Sequence, residues 1–285
     1  MKESKPMNKS RIILEIVLKS VLFALCAGAV TTFSHILTDI FIIHRNSKPE
    51  GLSEWMTYYS IFDRMLTAVA YYVLGRKIPV RNFMLRGLAF AGLNYISNYI
   101  PQIMGLAFAD GAIAQSAFST SILISDTIAF TLQGIVLGLV FHKVPEAEKR
   151  PCEKGRYAKA IGASALAFPI LVFLADQLIR MIYPAFSSSY VMQVSDGART
   201  AFFINFYSWF IVAGAFIAVF YRLTQYNANG SFLAFGLQYG LFLWTPVVMI
   251  MVLFGTAFVP TAFFAAIFLL ILLVLSWMNE RILTA

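Results

Sequence analysis

The chain alternates between long apolar runs and short segments rich in charge, glycine and proline. A helix needs about 20 mainly apolar residues to cross the hydrocarbon core of a bilayer, and eight runs approach that length. They cover residues 17–43, 57–75, 85–108, 121–141, 160–183, 201–221, 231–256 and 260–279. Only a few residues around Pro260 separate the last two runs, so a chain with seven spans is the alternative. The pattern predicts an all-α, polytopic transmembrane helix bundle.

The composition supports a lipid environment. Hydrophobic residues make up 59% of the chain and charged residues 13%, whereas a soluble domain is about half apolar and about a quarter charged. Too few polar residues remain to cover a globule in water, so much of the surface must face lipid. The basic first eleven residues and the following apolar run could form a signal peptide. However, the run is too long and lacks a cleavage site of small residues, so we interpret it as a retained first span.

Lysine and arginine fall almost entirely on one side of the predicted spans. That side holds the N-terminal segment, the loops near residues 76–86 and 143–159, and the C-terminus, while the other side holds only Arg45, Lys48 and Arg199. Because cytoplasmic loops carry an excess of basic residues, we expect both termini in the cytoplasm and the chain in the inner (cytoplasmic) membrane. The net charge of +8 then reflects the membrane topology and provides a contact surface for anionic lipid. Nucleic-acid binding is disfavoured, because the basic loops carry almost no aromatic residues for base stacking.

Internal similarity divides the chain into two halves. Four short motifs recur in the same order in matching spans: LTD (37–39) and LAD (174–176), YYS (58–60) and FYS (206–208), GLNY (92–95) and GLQY (236–239), and TIAF (127–130) and TAFF (261–264). We predict a four-span bundle over residues 1–142, a basic cytoplasmic linker over 143–159 and a second four-span bundle over 160–285. Four is an even number of spans, so the copies would share one orientation as parallel repeats.

The first half also resembles a known family. The matching features are YYSIFDRML (58–66), VRNFMLR (80–86), Pro101 and GIVLG (134–138). Together they resemble the bacterial L-alanine exporters, four-span proteins of the inner membrane with an aromatic-Tyr-Ser opening, a basic loop and a GxxxG motif in the last span. The resemblance covers about 130 residues, and the second half shares only the common layout. It implies export of a small amino acid or similar metabolite, driven by the ion gradient across the membrane.

Ionisable side chains inside spans usually face a bundle interior or a water-filled cavity, because exposure to lipid costs a few kcal/mol on insertion scales. The candidates for substrate or ion binding are Asp39, Asp63, Arg64, Asp126, Asp176 and Arg180, with His35 near the first of them. In the functional interpretation Arg64 receives a substrate carboxylate in bidentate fashion, while an acid binds an amine or a coupling proton. The structural interpretation is that these charges only neutralise one another or reach water by snorkelling. Asp176 and Arg180 are one helical turn apart and can pair on one face.

Polar residues and a proline interrupt the third span. Asn94, Ser97 and Asn98 precede Pro101, whose ring frees the carbonyl one turn earlier, that of Ser97. Pro246 repeats the interruption in the seventh span. Proline kinks are common in membrane helices, but matching interruptions in two repeats indicate a binding site at their interface. We therefore add Asn94 and Asn98 to the candidate substrate-binding residues.

The remaining motifs narrow the function. Gly134 and Gly138 allow close helix packing, within the chain or, alternatively, in a homodimer. Cys26 and Cys152 offer no disulfide framework or metal-ligand spacing, His35 and Asp39 stand alone as a His–carboxylate pair, and no catalytic motif occurs. We therefore expect a non-enzymatic exporter of a small molecule, without cofactor or metal. A non-catalytic membrane subunit or scaffold, and a lipid- or isoprenoid-handling protein, are the alternatives.

Overall fold

The computed structural model describes residues 9–38, 54–101, 116–142, 154–182, 196–224, 231–244 and 258–284. All regular structure in these ranges is helical, which confirms the predicted all-α class. There are eight α-helices in the described ranges: α1 (Lys9–Thr38), α2 (Glu54–Val73), α3 (Phe83–Asn94), α4 (Ser116–Val140), α5 (Lys154–Ile182), α6 (Asp196–Thr224), α7 (Phe232–Tyr239) and α8 (Phe258–Thr284). Pro260 lies in the first turn of α8 and not in the break before it, because proline is tolerated where the backbone N–H has no helical partner.

Five of these helices contain segments long and apolar enough to cross a membrane: Lys9–Thr38, Leu123–Val140, Lys154–Ile179, Tyr207–Thr224 and Ala265–Thr284. Many of their outward side chains are apolar, as exposed Leu18, Leu166 and Leu270 illustrate. A surface of this kind is stable in contact with lipid and unstable in contact with water. The helices thus indicate a membrane-embedded protein.

Several helices extend beyond the apolar runs that predict them. Residues 154–159, which the charge pattern assigns to the linker, form the first turns of α5. Similarly, α1 already begins at Lys9 and α6 at Asp196. Lysine and arginine are good helix formers, so a helix need not end where its apolar run ends.

The two halves show the same pairs of packed helices. In the first half α1 packs against α2 and α4, and α3 packs against α4; in the second half α5 packs against α6 and α8, and α7 packs against α8. Aromatic rings of the core join the halves, for example Phe90 and Phe220, whose centroids are 5.6 Å apart. The core formed by these contacts runs through both halves without a break.

Both α3 and α7 continue into a π-helical turn, Tyr95–Tyr99 after α3 and Gly240–Trp244 after α7. In the first of these turns the Ile100 N–H donates to the carbonyl of Tyr95, five residues earlier. Proline explains the widening at α3, because Pro101 has no N–H and its ring needs space where an α-helical carbonyl would lie. Pro246 follows the second π-helical turn at the same spacing in sequence, but it lies outside the described residues. Each π-helical turn packs against a helix of the other half, the one after α3 on α6 and the one after α7 on α2.

Glycines bring α3 and α4 close together at the end opposite the π-helical turn. A Cβ atom on Gly87 would overlap the backbone of Gly134 and Gly138, and one on Gly138 would overlap the backbone of Phe83. The GxxxG motif of α4 thus packs inside the chain, against α3. Of the two interpretations of this motif, packing within the chain and packing in a homodimer, the structure shows packing within the chain.

Candidate functional site

A buried carboxylate lies where three helices of the first half meet. Asp126 of α4 is only 4% exposed, and its Oδ1 atom lies 3.5 Å from Nε2 of His35 on α1. The other ring nitrogen of His35, Nδ1, shares a hydrogen bond of 3.2 Å with the hydroxyl of Ser125. The His35 side chain is 45% exposed. The pair thus has one buried member and one that reaches the surface of the bundle.

The second oxygen of Asp126 binds α3. The hydroxyl of Tyr99, the last residue of the first π-helical turn, donates to Oδ2 of Asp126 over 3.2 Å. Asp63 of α2 lies close enough to Tyr99 to interact electrostatically with its hydroxyl, and Arg64 interacts in the same way with Asp63. Side chains from α1, α4 and the π-helical turn after α3 therefore meet at Asp126, and Asp63 of α2 lies near them. We refer to His35, Asp63, Tyr99 and Asp126 as the acidic cluster.

Aromatic rings border the acidic cluster on one side. The ring of Phe130 lies 4.7 Å from that of Tyr99 and 4.8 Å from that of Tyr95. The Tyr95 hydroxyl bonds the carbonyl of Leu123 and the hydroxyl of Thr127, each over 3.0 Å. These contacts fix α3 against α4 next to Asp126, whose side chain is buried. In such surroundings a change of charge has a large energetic effect.

A second polar group lies between the halves. Asn98 donates from Nδ2 to the side-chain oxygen of Asn94 over 3.0 Å and to the carbonyl of Leu243 over 2.8 Å. Ser97 and Tyr239 share a hydrogen bond of 2.6 Å between their hydroxyls. We call these five residues the polar seam. All five are buried, so the two interrupted helices meet through a polar contact inside an apolar core.

One π-helical turn connects the acidic cluster and the polar seam. Ser97, Asn98 and Tyr99 are consecutive residues of that turn. Ser97 binds α7, Asn98 binds the π-helical turn after α7, and Tyr99 binds Asp126. Any shift of the turn therefore changes both sets of contacts. π-Helical turns are often found at functional sites.

The structure brings together some of the predicted site residues and leaves others apart. Asn94 and Asn98 meet in the polar seam, and Asp63, Arg64 and Asp126 lie in or beside the acidic cluster. Asp39 and the side chain of Arg180 lie outside the described residues. Asp176 is half-buried on α5 and accepts a weak hydrogen bond from its neighbour Gln177. Among the described residues, no group of three or more His, Cys, Asp or Glu side chains could hold a metal ion.

Two hydrogen-bonding tyrosines and the partners of His35 escaped the sequence analysis. His35 was named only beside Asp39, whereas its partners Ser125 and Asp126 are about 90 residues away in sequence and only packing brings them near. Tyr99 and Tyr239 were also missed as hydrogen-bonding residues. The one available signal was that Tyr95 and Tyr99 are one turn apart beside a proline.

No family model, curated protein or solved structure matches this chain.

Proposed function

We propose that the chain is an integral membrane transporter, a secondary exporter of a small amino acid such as L-alanine or of a similar metabolite. One observation carries the proposal: the two interrupted helices, α3 and α7, contact each other through buried polar groups. Interrupted helices that meet near the middle of a bundle are the usual substrate sites of secondary transporters. Buried polar groups cost free energy unless they are hydrogen-bonded, so amides and hydroxyls that meet inside an apolar core are candidates for a binding surface.

The proposal includes eight spans, arranged as two four-span repeats of the same orientation with both termini in the cytoplasm. The matching helix pairs in the two halves support this arrangement. A further observation concerns Asn98 and Leu243. They occupy equivalent positions if Pro101 is aligned with Pro246, and they contact each other. A residue touches its own equivalent where a twofold axis passes, so this contact supports a fused pair of like-oriented units.

The side chains beside the acidic cluster suit a zwitterion. Arg64 can bind a carboxylate through two parallel hydrogen bonds, and the acids Asp63 and Asp126 can attract an ammonium group. Asn94 and Asn98 supply neutral donors and acceptors in the polar seam. In this proposal Asp176 and Arg180 of the second half form a neutral pair one helical turn apart, placed to balance each other.

Arg64 provides the test. We expect purified protein in vesicles to exchange labelled L-alanine for unlabelled L-alanine, and Arg64→Ala to lower the initial rate about tenfold or more, because a lost bidentate contact costs at least about 1.4 kcal/mol. Arg64→Lys should recover only part of the rate, since an ammonium cannot form the planar double contact. The control is Arg11→Ala, a loss of the same charge at an exposed position near the start of α1.

Two outcomes would count against the proposal in different ways. If alanine and other small amino acids exchange no faster than in empty vesicles, the proposed exporter function is wrong. If Arg64→Ala and Arg11→Ala exchange equally fast, the exporter function stands, but Arg64 is not part of its substrate site.

A structural role has one observation in its favour. His35, Tyr99 and Asp126 already satisfy one another, as they would in a bundle whose polar groups only stabilise a fold. A non-catalytic subunit or scaffold would co-purify with another protein at a fixed stoichiometry and would show no exchange. An exporter would be active as the single purified chain.

A further inference from the structure

A buried arginine without an acidic partner lies near the start of α3. Arg86 is 5% exposed, and its Nε atom donates to the carbonyl of Val80 over 2.7 Å. Within the described part of the chain, Arg86 forms no other hydrogen bond and no ion pair. A buried charge without a partner destabilises a fold, because burial removes it from water. The contact with Val80 fixes the guanidinium by its Nε atom and leaves both Nη atoms as donors for a ligand.

A tyrosine hydroxyl without a hydrogen-bond partner lies near this guanidinium. The side chain of Tyr71 on α2 is fully buried, and no described residue forms a hydrogen bond with its hydroxyl. Tyr71 lies close enough to Arg86 to interact with it electrostatically. A Cβ atom on Gly75 would overlap the ring of Tyr71, so the turn after α2 packs directly onto this tyrosine. An unused hydroxyl and an unused cation are thus buried near each other where α2 is connected to α3.

Two further cations lie in the same connection. Arg76 and Lys77 belong to the 3-10 turn Gly75–Lys77. The pKa of Lys77 is lowered, first by its partial burial and second by the positive charge of Arg76. Neither side chain forms an ion pair among the residues that the structure describes. The sequence contains no acid over residues 64–109, so a bound anion would supply the negative charge that these cations lack.

We propose that Arg86 is the centre of a binding site for a phosphate group, to which the hydroxyl of Tyr71 also donates. Arginine suits this ligand, because its planar guanidinium donates two parallel hydrogen bonds to phosphate oxygens. Arg76 and Lys77 add positive charge around the site and attract the anion. The inference goes beyond the transport function and does not depend on it.

The position of Arg86 favours the head group of an anionic lipid as the source of the phosphate. Arg86 lies at the start of the third apolar run, at the end of the bundle that the charge distribution predicts to be cytoplasmic. Basic pockets between transmembrane helices on that side bind lipid head groups. The preceding residues Met84 and Leu85 are 38% and 56% exposed and offer an apolar surface to the acyl chains. Free phosphate is the other source of the same group.

Thermal unfolding of the full chain in micelles of dodecyl maltoside tests the proposal, because this detergent carries no phosphate. We expect added phosphatidylglycerol to raise the unfolding temperature with a saturable dependence on its concentration. Arg86→Gln should weaken this binding about tenfold, because it loses both charge-assisted hydrogen bonds. Tyr71→Phe keeps the buried ring and should weaken the binding about threefold, because it loses one neutral donor.

Two comparisons separate a phosphate site from other roles of Arg86. Without lipid, Arg86→Gln should unfold at the same temperature as the unmodified chain or at a higher one, because it removes a buried charge without a partner. Arg81→Gln removes the same charge from an exposed position of the same connection and is the matched control. It should change the affinity less than twofold, because an exposed charge contributes little.

Inorganic phosphate at constant ionic strength identifies the source of the group. If it raises the unfolding temperature and Arg86→Gln abolishes this rise, free phosphate occupies the site; if only phosphatidylglycerol does so, the ligand is the lipid. The proposal is wrong if neither compound raises the unfolding temperature, or if Arg86→Gln and Arg81→Gln weaken binding equally. It is also wrong if Arg86→Gln lowers the unfolding temperature by the same amount with and without phosphatidylglycerol. Unchanged affinity in Tyr71→Phe would exclude the hydroxyl from the site.

Discussion

Gly87→Ala should lower the free energy of unfolding by about 2–3 kcal/mol, because one added methyl group has no space where α3 crosses α4. The new Cβ atom would overlap backbone atoms of Gly134 and Gly138. Backbone atoms cannot rotate away as the end of a side chain can, so the two helices must separate. Separation also loosens the packing that holds Tyr99 near Asp126, and the proposed transport should fall with stability.

Gly92→Ala is the matched control on the same helix. A Cβ atom at Gly92 meets nothing within 4 Å, so this variant should gain the roughly 0.5–1 kcal/mol by which alanine favours a helix over glycine. Reversible unfolding in mixed micelles measures both variants. Opposite signs for the two substitutions are the expected result. Equal effects would mean that α3 and α4 do not pack through Gly87.

Features of the fold that are set by the type of a residue alone could be predicted from the sequence. Apolar runs predicted helices, and all eight runs overlap a described helix. Pro101 predicted the interruption of α3, because its effect on the backbone is local and does not depend on packing. Gly134 and Gly138 predicted a close helix contact for the same kind of reason, since only glycine permits backbones to meet so closely.

Contacts between distant residues did not follow from the sequence. His35 and Asp126 are members of one pair only because α1 packs on α4, and neither residue carries a local sign of its partner. The same holds for Asn98 and the carbonyl of Leu243, since every residue has a backbone carbonyl and the sequence does not show which one accepts a hydrogen bond. The sequence therefore indicated which residue types the site uses, but not how they combine.

The acidic cluster is confined to one half of the proposed duplication. By the shared motifs, and for Tyr99 by the alignment of Pro101 with Pro246, the positions equivalent to His35, Asp63, Tyr99 and Asp126 hold Val172, Ile211, Trp244 and Pro260. None of these four side chains can ionise. The second half thus keeps the helix pairs and the interrupted helix of the first but cannot repeat its chemistry. In the proposed transporter, the ionisable groups of the acidic cluster would serve both repeats.

Asn98→Asp should be the most damaging change in the polar seam. Asn98 donates two hydrogen bonds, to Asn94 and to the carbonyl of Leu243. An ionised aspartate of nearly the same shape has no proton to donate and places its negative charge against two oxygens. We expect the free energy of unfolding to fall by about 3–5 kcal/mol, the cost of an uncompensated buried charge. Asn98→Ala should cost only about 1–3 kcal/mol, because it leaves the acceptors without a donor but adds no charge.

The same substitution at Asn82 should be nearly neutral. Asn82 accepts hydrogen bonds from the backbone N–H groups of Met84 and Leu85 at the start of α3, and aspartate accepts them equally well. Unfolding of both variants across a pH series gives the measurement. The cost of Asn98→Asp should shrink as the pH falls, because the protonated acid regains one donor, whereas Asn82→Asp should stay nearly neutral. A pH-independent cost at Asn98 no larger than that of Asn98→Ala would show that its amide does not join α3 to α7.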